Sequence, residues 1–309
     1  MEKQSKIYVA GHKGLVGSAI VRLLRALGYE NLVLRTSKDL DLRDSAAVES
    51  FFVSEKPDYV FLAAAKVGGI KANMTFPVEF LYDNLMIQNN LIKACSTTKV
   101  KKLCFLGSSC IYPRECPQPM KEAYLLTGPL EPTNEGYALA KITGLKLVEY
   151  HHRQYGLHAI CPMPCNLYGP GDSFDLNNSH VLSALVKRFV DAVVEQVNEI
   201  TLWGTGIARR EFLHVDDLAR AVLFLMEKYD SPDIINVGSG KDVTIKELAE
   251  MIAAKTGFSG KIFWDTSKPD GMLRKCLDVS KISELGFQPE ISLSAGIDQI
   301  IQEYRSLRS

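Results

Sequence analysis

The sequence predicts a doubly wound α/β fold, a parallel sheet with helices on both faces, joined to a smaller, interleaved carboxyl-terminal substrate domain. Three observations carry that prediction. Short apolar runs alternate with apolar positions at helical spacing through the first hundred residues. A glycine-rich turn joins the first run to the first helix. No repeat, low-complexity tract or linker divides the 309 residues, although the length is that of roughly two domains.

The first element is the apolar run from Ile7 to Ala10, followed by a helix with apolar positions 15, 16, 19, 20, 23, 24 and 27. Gly28 stops that helix, Leu32 to Leu34 reads as a second strand, and Ala46 to Ser54 as a second helix. The run from Tyr59 to Ala65 is apolar enough to be buried on both faces of a sheet. A helix near Val78 to Ser96 and a strand at Lys102 to Leu106 continue the alternation, which is that of successive βαβ units. Beyond Pro164 the rhythm loosens. Residues 166–178 are rich in Gly, Pro, Asn and Asp, Ser179 to Val197 is helical, and Ile200 to Trp203 leads into a Gly-Thr-Gly turn. Thr244 and Glu247 have the spacing of a capping box for a helix running to Lys255, and another helix starts near Ser292. The expected division is 1–165, mainly nucleotide-binding, and 166–309, mainly substrate-binding, with some later segments returning to the first unit.

Composition narrows the function classes. The 36 Lys and Arg balance 36 Asp and Glu, so no global basic field exists to attract nucleic acid or an anionic membrane. The seven cysteines are odd in number and include no C-x-x-C pair, which points to free thiols in a reducing compartment. The run from Tyr59 to Ala65 is too short for a bilayer, and the amino terminus enters a strand with no signal-peptide core. A soluble, cytoplasmic protein is expected. Histidines 12, 151, 152, 158 and 214 are not at metal-ligand spacings, so no metal is implied.

Gly11, Gly14 and Gly17 fall between the first strand and first helix, where small residues let backbone approach a pyrophosphate and the helix amino terminus offers free N–H groups. A tight βα turn is the alternative. At the end of the second strand an NAD site usually shows an acidic residue; here Arg35 stands, with Lys13 in the glycine loop, which favours NADP unless both are solvated surface cations. Asp41 and Leu42 are placed to meet the adenine, or Asp41 is a helix cap. Tyr137 and Lys141, at i and i+4, share a helix face, and a nearby cation favours phenolate. Ser108 and Cys110 directly follow a parallel strand, at the end where open α/β sheets bind ligands. Turn chemistry and a small buried thiol are their alternatives.

These features resemble the extended short-chain dehydrogenase/reductase family and, within it, the GDP-L-fucose synthases. The matching strings are Val9 to Ile20, Ala63 to Ile70, Phe105 to Pro113, Glu131 to Glu135, Asn166 to Pro170, Arg210 to Asp217 and Ser267 to Gly271, spread over most of the chain. The resemblance implies conversion of GDP-4-keto-6-deoxy-D-mannose to GDP-L-fucose, by inversion at C3 and C5 and then NADPH-dependent reduction at C4, in a homodimer. It implies Cys110 as base and His180 as acid, Tyr137 and Ser108 at the developing oxyanion, and Lys141 on the nicotinamide ribose while lowering the Tyr137 pKa. For the cofactor it implies Gly11, His12, Lys13, Gly14, Leu15, Val16, Gly17, Arg35, Asp41, Leu42, Ala63 and Ala64, with Tyr137 and Lys141. For the GDP-sugar it implies Arg210 as a diphosphate clamp, with Asn166, Lys187, Trp203 and Asp270 around the ligand.

From residues alone His180 is a helix-capping or packed histidine and Lys187 a solvated face, while the guanidinium of Arg210 suits a diphosphate clamp, with an ion pair to Glu211 or Asp216 as the alternative. Two positions depart from the family's bacterial pattern: Gly136 stands where Pro is usual, and Gly171 where His is usual. The other enzyme class with this glycine loop and Tyr/Lys pair is an epimerase or dehydratase that retains NAD. A non-catalytic NADP sensor is the third class.

Overall fold

The computed structural model describes residues 1–175, 180–268 and 270–308, with the backbone alone at position 70. Along the chain lie β1 (Ile7–Ala10), α1 (Leu15–Ala26), β2 (Leu32–Val33), α2 (Ser45–Glu55), β3 (Tyr59–Leu62), α3 (Ile70–Thr75), α4 (Pro77–Thr97) and β4 (Lys102–Phe105). Then come α5 (Glu135–Tyr155), β5 (Ala159–Pro164), β6 (Asn166–Tyr168), α6 (Val181–Val194), β7 (Glu199–Trp203), β8 (Arg209–His214) and α7 (Val215–Lys228). The chain ends with β9 (Ile234–Val237), β10 (Asp242–Thr244), α8 (Ile245–Thr256), β11 (Lys261–Asp265), β12 (Arg274–Lys275), α9 (Ser280–Glu284) and α10 (Leu293–Arg308).

Six parallel strands form the main sheet in the order β2-β1-β3-β4-β5-β9. The residues of β1, β3, β4 and β5 are all buried, as strands covered on both faces by helices must be. The order reverses between β1 and β3, so the loops after these strands diverge and leave a crevice at their carboxyl ends. The second hydrophobic cluster is built on Leu185, Phe189, Leu248, Ile252, Ile297 and Ile301 of α6, α8 and α10. The chain does not pass cleanly from one cluster to the other. β9 pairs with β5, and α7 packs against α1, so residues after 214 return to the main sheet.

Helices α3, α7 and α9 and strands β8, β9, β11 and β12 are not anticipated from the sequence, and the expected elements differ from the structure at their ends. The Tyr59 strand stops at Leu62, because Ala63 and Ala64 turn against the glycine loop. The helix expected from Ser179 begins at Val181, with His180 as its N-cap residue; Asn177, Asn178 and Ser179 lie outside the described residues. The capping box is present: Thr244 Oγ1 accepts from Glu247 N while Glu247 Oε2 accepts from Thr244 N. β8 joins the two halves, pairing with β6, β10 and β12. Among the described residues no helix is long and apolar enough to cross a membrane.

Candidate active site

The glycine loop is a close-packed cradle. Gly11 has a φ of +82°, and a Cβ there would lie 2.6 Å from the Ala64 amide nitrogen. A Cβ on Gly17 would lie 2.1 Å from the Gly11 carbonyl oxygen. Gly14 is the N-cap of α1, with no side-chain cap and no acidic residue in the first turn. That helix terminus therefore keeps N–H groups and a positive dipole end for an anion. Lys13 is exposed, Leu15 and Val16 are half-buried, and the buried Nδ1 atom of His12 has no partner within the protein. These residues fit a dinucleotide pyrophosphate.

Around the cradle, the expected side chains are partly engaged. Arg35 donates to Glu55 Oε1 at 2.7 Å and to the Leu34 carbonyl at 3.1 Å, so Lys13 is the freer cation. Asp41 does not cap α2: Asp44 does, accepting from Ala46 and Ala47, while Asp41 binds Arg43 at 2.8 Å. The carbonyls of Leu42 and Arg43 accept from Asn90 on α4, which fixes this loop.

The chemistry-bearing group assembles where β4 ends. Ser108 starts a 3₁₀ turn over Ser109–Ile111, and its Oγ accepts from Cys110 N at 3.3 Å. α5 approaches closely because two glycines permit it. A Cβ on Gly144 would lie 2.4 Å from the Phe105 ring, and one on Gly136 would lie 2.9 Å from the Pro77 carbonyl. The departure at Gly136 thus has a steric cause in the α4–α5 contact. The approach sets Tyr137 beside Ser108 and Cys110.

The electrostatics of Tyr137 correct the sequence expectation. Burial, with Cys110 alongside, pushes the phenol well above its ordinary range, and only the Ser108 hydroxyl pulls the other way. The Lys141 ammonium, expected to lower it, is engaged elsewhere. The Lys141 ammonium donates to the Leu106 carbonyl at 2.8 Å and lies 5.8 Å from the Tyr137 ring centroid, and burial pushes it down to about 8. Tyr137 is held as a neutral phenol, the form that donates a proton.

Two residues not singled out in the sequence meet Cys110. Asn134 Nδ2 donates to its sulfur at 3.3 Å, and Lys275 Nζ donates to it at 3.6 Å. Asn134 lies within the string from Glu131 to Glu135, but nothing in the local sequence marks Lys275, 165 residues away. His180 is not part of this cluster of contacts. Its half-exposed ring lies 3.6 Å from the buried carboxylate of Asp172, which holds the imidazole above its usual range against the opposing effect of burial. His180 is the N-cap of α6 but makes no side-chain cap bond.

The expected GDP-sugar residues divide. Arg210 pairs with neither Glu211 nor Asp216: it donates to the carbonyls of Arg209, Met272 and Asp270, and Asp216 pairs with Arg22. Asp270 fastens the turn after β7, accepting from Thr205 N at 2.7 Å and Thr205 Oγ1 at 2.8 Å. Trp203 beside that turn is 67% exposed, and Asn166 donates to the Glu211 carbonyl. Lys187 is not simply a solvated cation. Tyr304 at 2.7 Å and Asp191 at 3.1 Å hold it in the packing of α6 against α10. Gly171 has a φ of +91° and donates to Glu303, a backbone form that a histidine would hold only with strain.

The model of the NAD dependent epimerase/dehydratase family matches residues 7–238. A putative GDP-L-fucose synthase 2 of Arabidopsis thaliana is 57% identical over 98% of this chain and 93% of its own length. The GDP-L-fucose synthase of Escherichia coli (strain K12) is 51% identical over 98% and 97%. The crystal structure of a GDP-L-fucose synthetase from Naegleria fowleri bound to NADP superposes with a TM-score of 0.92 at 28% identity, covering 100% of this chain and 96% of that one. On this footing the chain belongs to the NAD dependent epimerase/dehydratase family and, within it, to the GDP-L-fucose synthase family.

Proposed function

We propose that the protein converts GDP-4-keto-6-deoxy-D-mannose to GDP-L-fucose, inverting C3 and C5 and then reducing C4 with NADPH. The observation that carries this reading is the convergence of Ser108, Cys110 and Tyr137 at the carboxyl end of β4, with a sulfur that accepts from Asn134 and Lys275.

A 4-keto group acidifies the hydrogens on C3 and C5. Cys110 removes each proton, Tyr137 and Ser108 bear the negative charge that develops on O4, and His180, whose charged form Asp172 favours, returns a proton to the opposite face. NADPH, when bound, supplies the hydride for C4. Tyr137, held as the neutral phenol, donates the proton to O4. Reduction comes last, because removing the ketone removes the acidity that inversion needs. Gly11, His12, Lys13, Gly14, Leu15, Val16 and Gly17 would hold the pyrophosphate. Arg35, Asp41, Leu42, Ala63 and Ala64 would line the adenosine side, and Lys141 would hold the nicotinamide ribose. Arg210, Trp203, Asn166, Lys187 and Asp270 are the GDP-sugar residues of this reading.

Cytoplasmic action belongs to this reading, supported by seven free cysteines. So does a homodimer, supported by exposed Val78 and Tyr82 on α4 and Leu139 and Tyr150 on α5. The test of the site is Cys110→Ser. It is expected to lose deuterium incorporation at C3 and C5 while binding NADPH as wild type does. Incorporation at the wild-type rate would remove Cys110 from the base role.

A further inference from the structure

We propose that Lys275 is a positioning residue for Cys110, its ammonium directed at the sulfur that takes the carbon-bound proton. This rests on the base role of Cys110 proposed above. A thiolate, not a thiol, is the reactive species, and a neighbouring cation favours it.

The geometry is built for this task rather than incidental. Lys275 sits on a strand of only two residues whose backbone is anchored along both sides. β12 runs parallel to β8, with Arg274 opposite Arg209 and Lys275 opposite Arg210. Arg274 and Arg209 share the Asp242 carboxylate, the latter at 2.7 Å. Next along the chain, Cys276 N donates to Gln118 Oε1 at 3.0 Å, and Leu277 N donates to the buried Glu211 carboxylate at 2.8 Å. The chain on either side of Lys275 is therefore fixed before the ammonium reaches across to the sulfur at 3.6 Å. Asn134, at the start of α5, donates to the same sulfur from another element and sets its direction.

The other groups around this pair do not compete for it. The Lys275 ammonium also faces Cys116 and Cys165, but burial pushes both of those thiols up. Tyr137 faces Cys110 from α5 and is held neutral. No carboxylate hydrogen-bonds Lys275 among the described residues, so its charge is directed at sulfur.

The test compares wild type with Lys275→Met, Lys275→Gln and Lys275→Arg, using iodoacetamide as probe and the Cys110 peptide read by mass spectrometry. At pH 7 the Met and Gln variants are expected to alkylate Cys110 about tenfold more slowly than wild type, and Arg within about threefold, because Arg restores the charge. NADPH affinity is expected to stay at the wild-type value in all three, which separates loss of the ammonium from loss of the fold. With GDP-4-keto-6-deoxy-D-mannose, the neutral variants lose kcat for deuterium incorporation with KM unchanged. Wild-type alkylation in Lys275→Met or Lys275→Gln overturns the proposal, as does a loss in Lys275→Arg equal to theirs. Alkylation needs no sugar, so its result stands apart from whether the substrate reading is correct.

Discussion

Nδ1 of His180 lies 3.6 Å from Oδ1 of Asp172, and that carboxylate, only 5% exposed, takes the Ser183 hydroxyl on its other oxygen. The ring at the head of α6 is thus aimed by a carboxylate that is itself held. A histidine whose charged form is favoured stays protonated to higher pH than a free one. In Asp172→Asn the alkaline limb of deuterium incorporation at C3 and C5 should move to lower pH. An unmoved limb, measured by NMR from pH 6 to 9, would mean that His180 does not return the proton.

Tyr137→Phe removes the proton donor for C4 and leaves Cys110 in place. NADPH oxidation should fall by about 10²–10⁴-fold, the usual worth of one positioned acid. Deuterium incorporation should fall less in the same variant, because Ser108 still meets the charge on O4. An unchanged rate of NADPH oxidation would remove Tyr137 from the proton-donor role.

Glu211 is fully buried, and burial pushes its carboxyl up to about 7 from 4.5, although the amides of Leu277, Gly240 and Ser239 oppose the shift. Between those values the native chain binds more protons than the unfolded one. The contribution is therefore complete below the unfolded value and is lost as pH rises through about 7. The difference in melting temperature between wild type and Glu211→Gln should shift against wild type from pH 5 to pH 8. Scanning calorimetry at several pH values reads it, and a difference that does not change with pH contradicts the assignment.

The sheet was legible because parallel strands buried on both faces write continuous apolar runs, as Tyr59 to Leu62 does. The glycine loop was legible because its residue type answers a local steric demand, the carbonyl of Gly11 against Gly17. Relationships that depend on distant pairing were not. The i, i+4 spacing of Tyr137 and Lys141 fixes a shared helix face, but the docking of α5 on β4 gives the Leu106 carbonyl first claim on the ammonium. Lys187 reads as a surface cation until α10 brings Tyr304 to it. Lys275 reaches Cys110 only through the pairing of β12 with β8, which no local pattern announces.

The proposed function requires one site both to invert C3 and C5 and to reduce C4. Its most direct measurement mixes the protein with GDP-4-keto-6-deoxy-D-mannose and NADPH in D₂O, follows the absorbance of the reduced cofactor, and takes a proton NMR spectrum of the product. The expected result is NADPH consumption with deuterium at both C3 and C5 of GDP-L-fucose. NADPH consumption with deuterium at one position or neither, or no consumption at all by a protein that purifies with NAD bound, would contradict it.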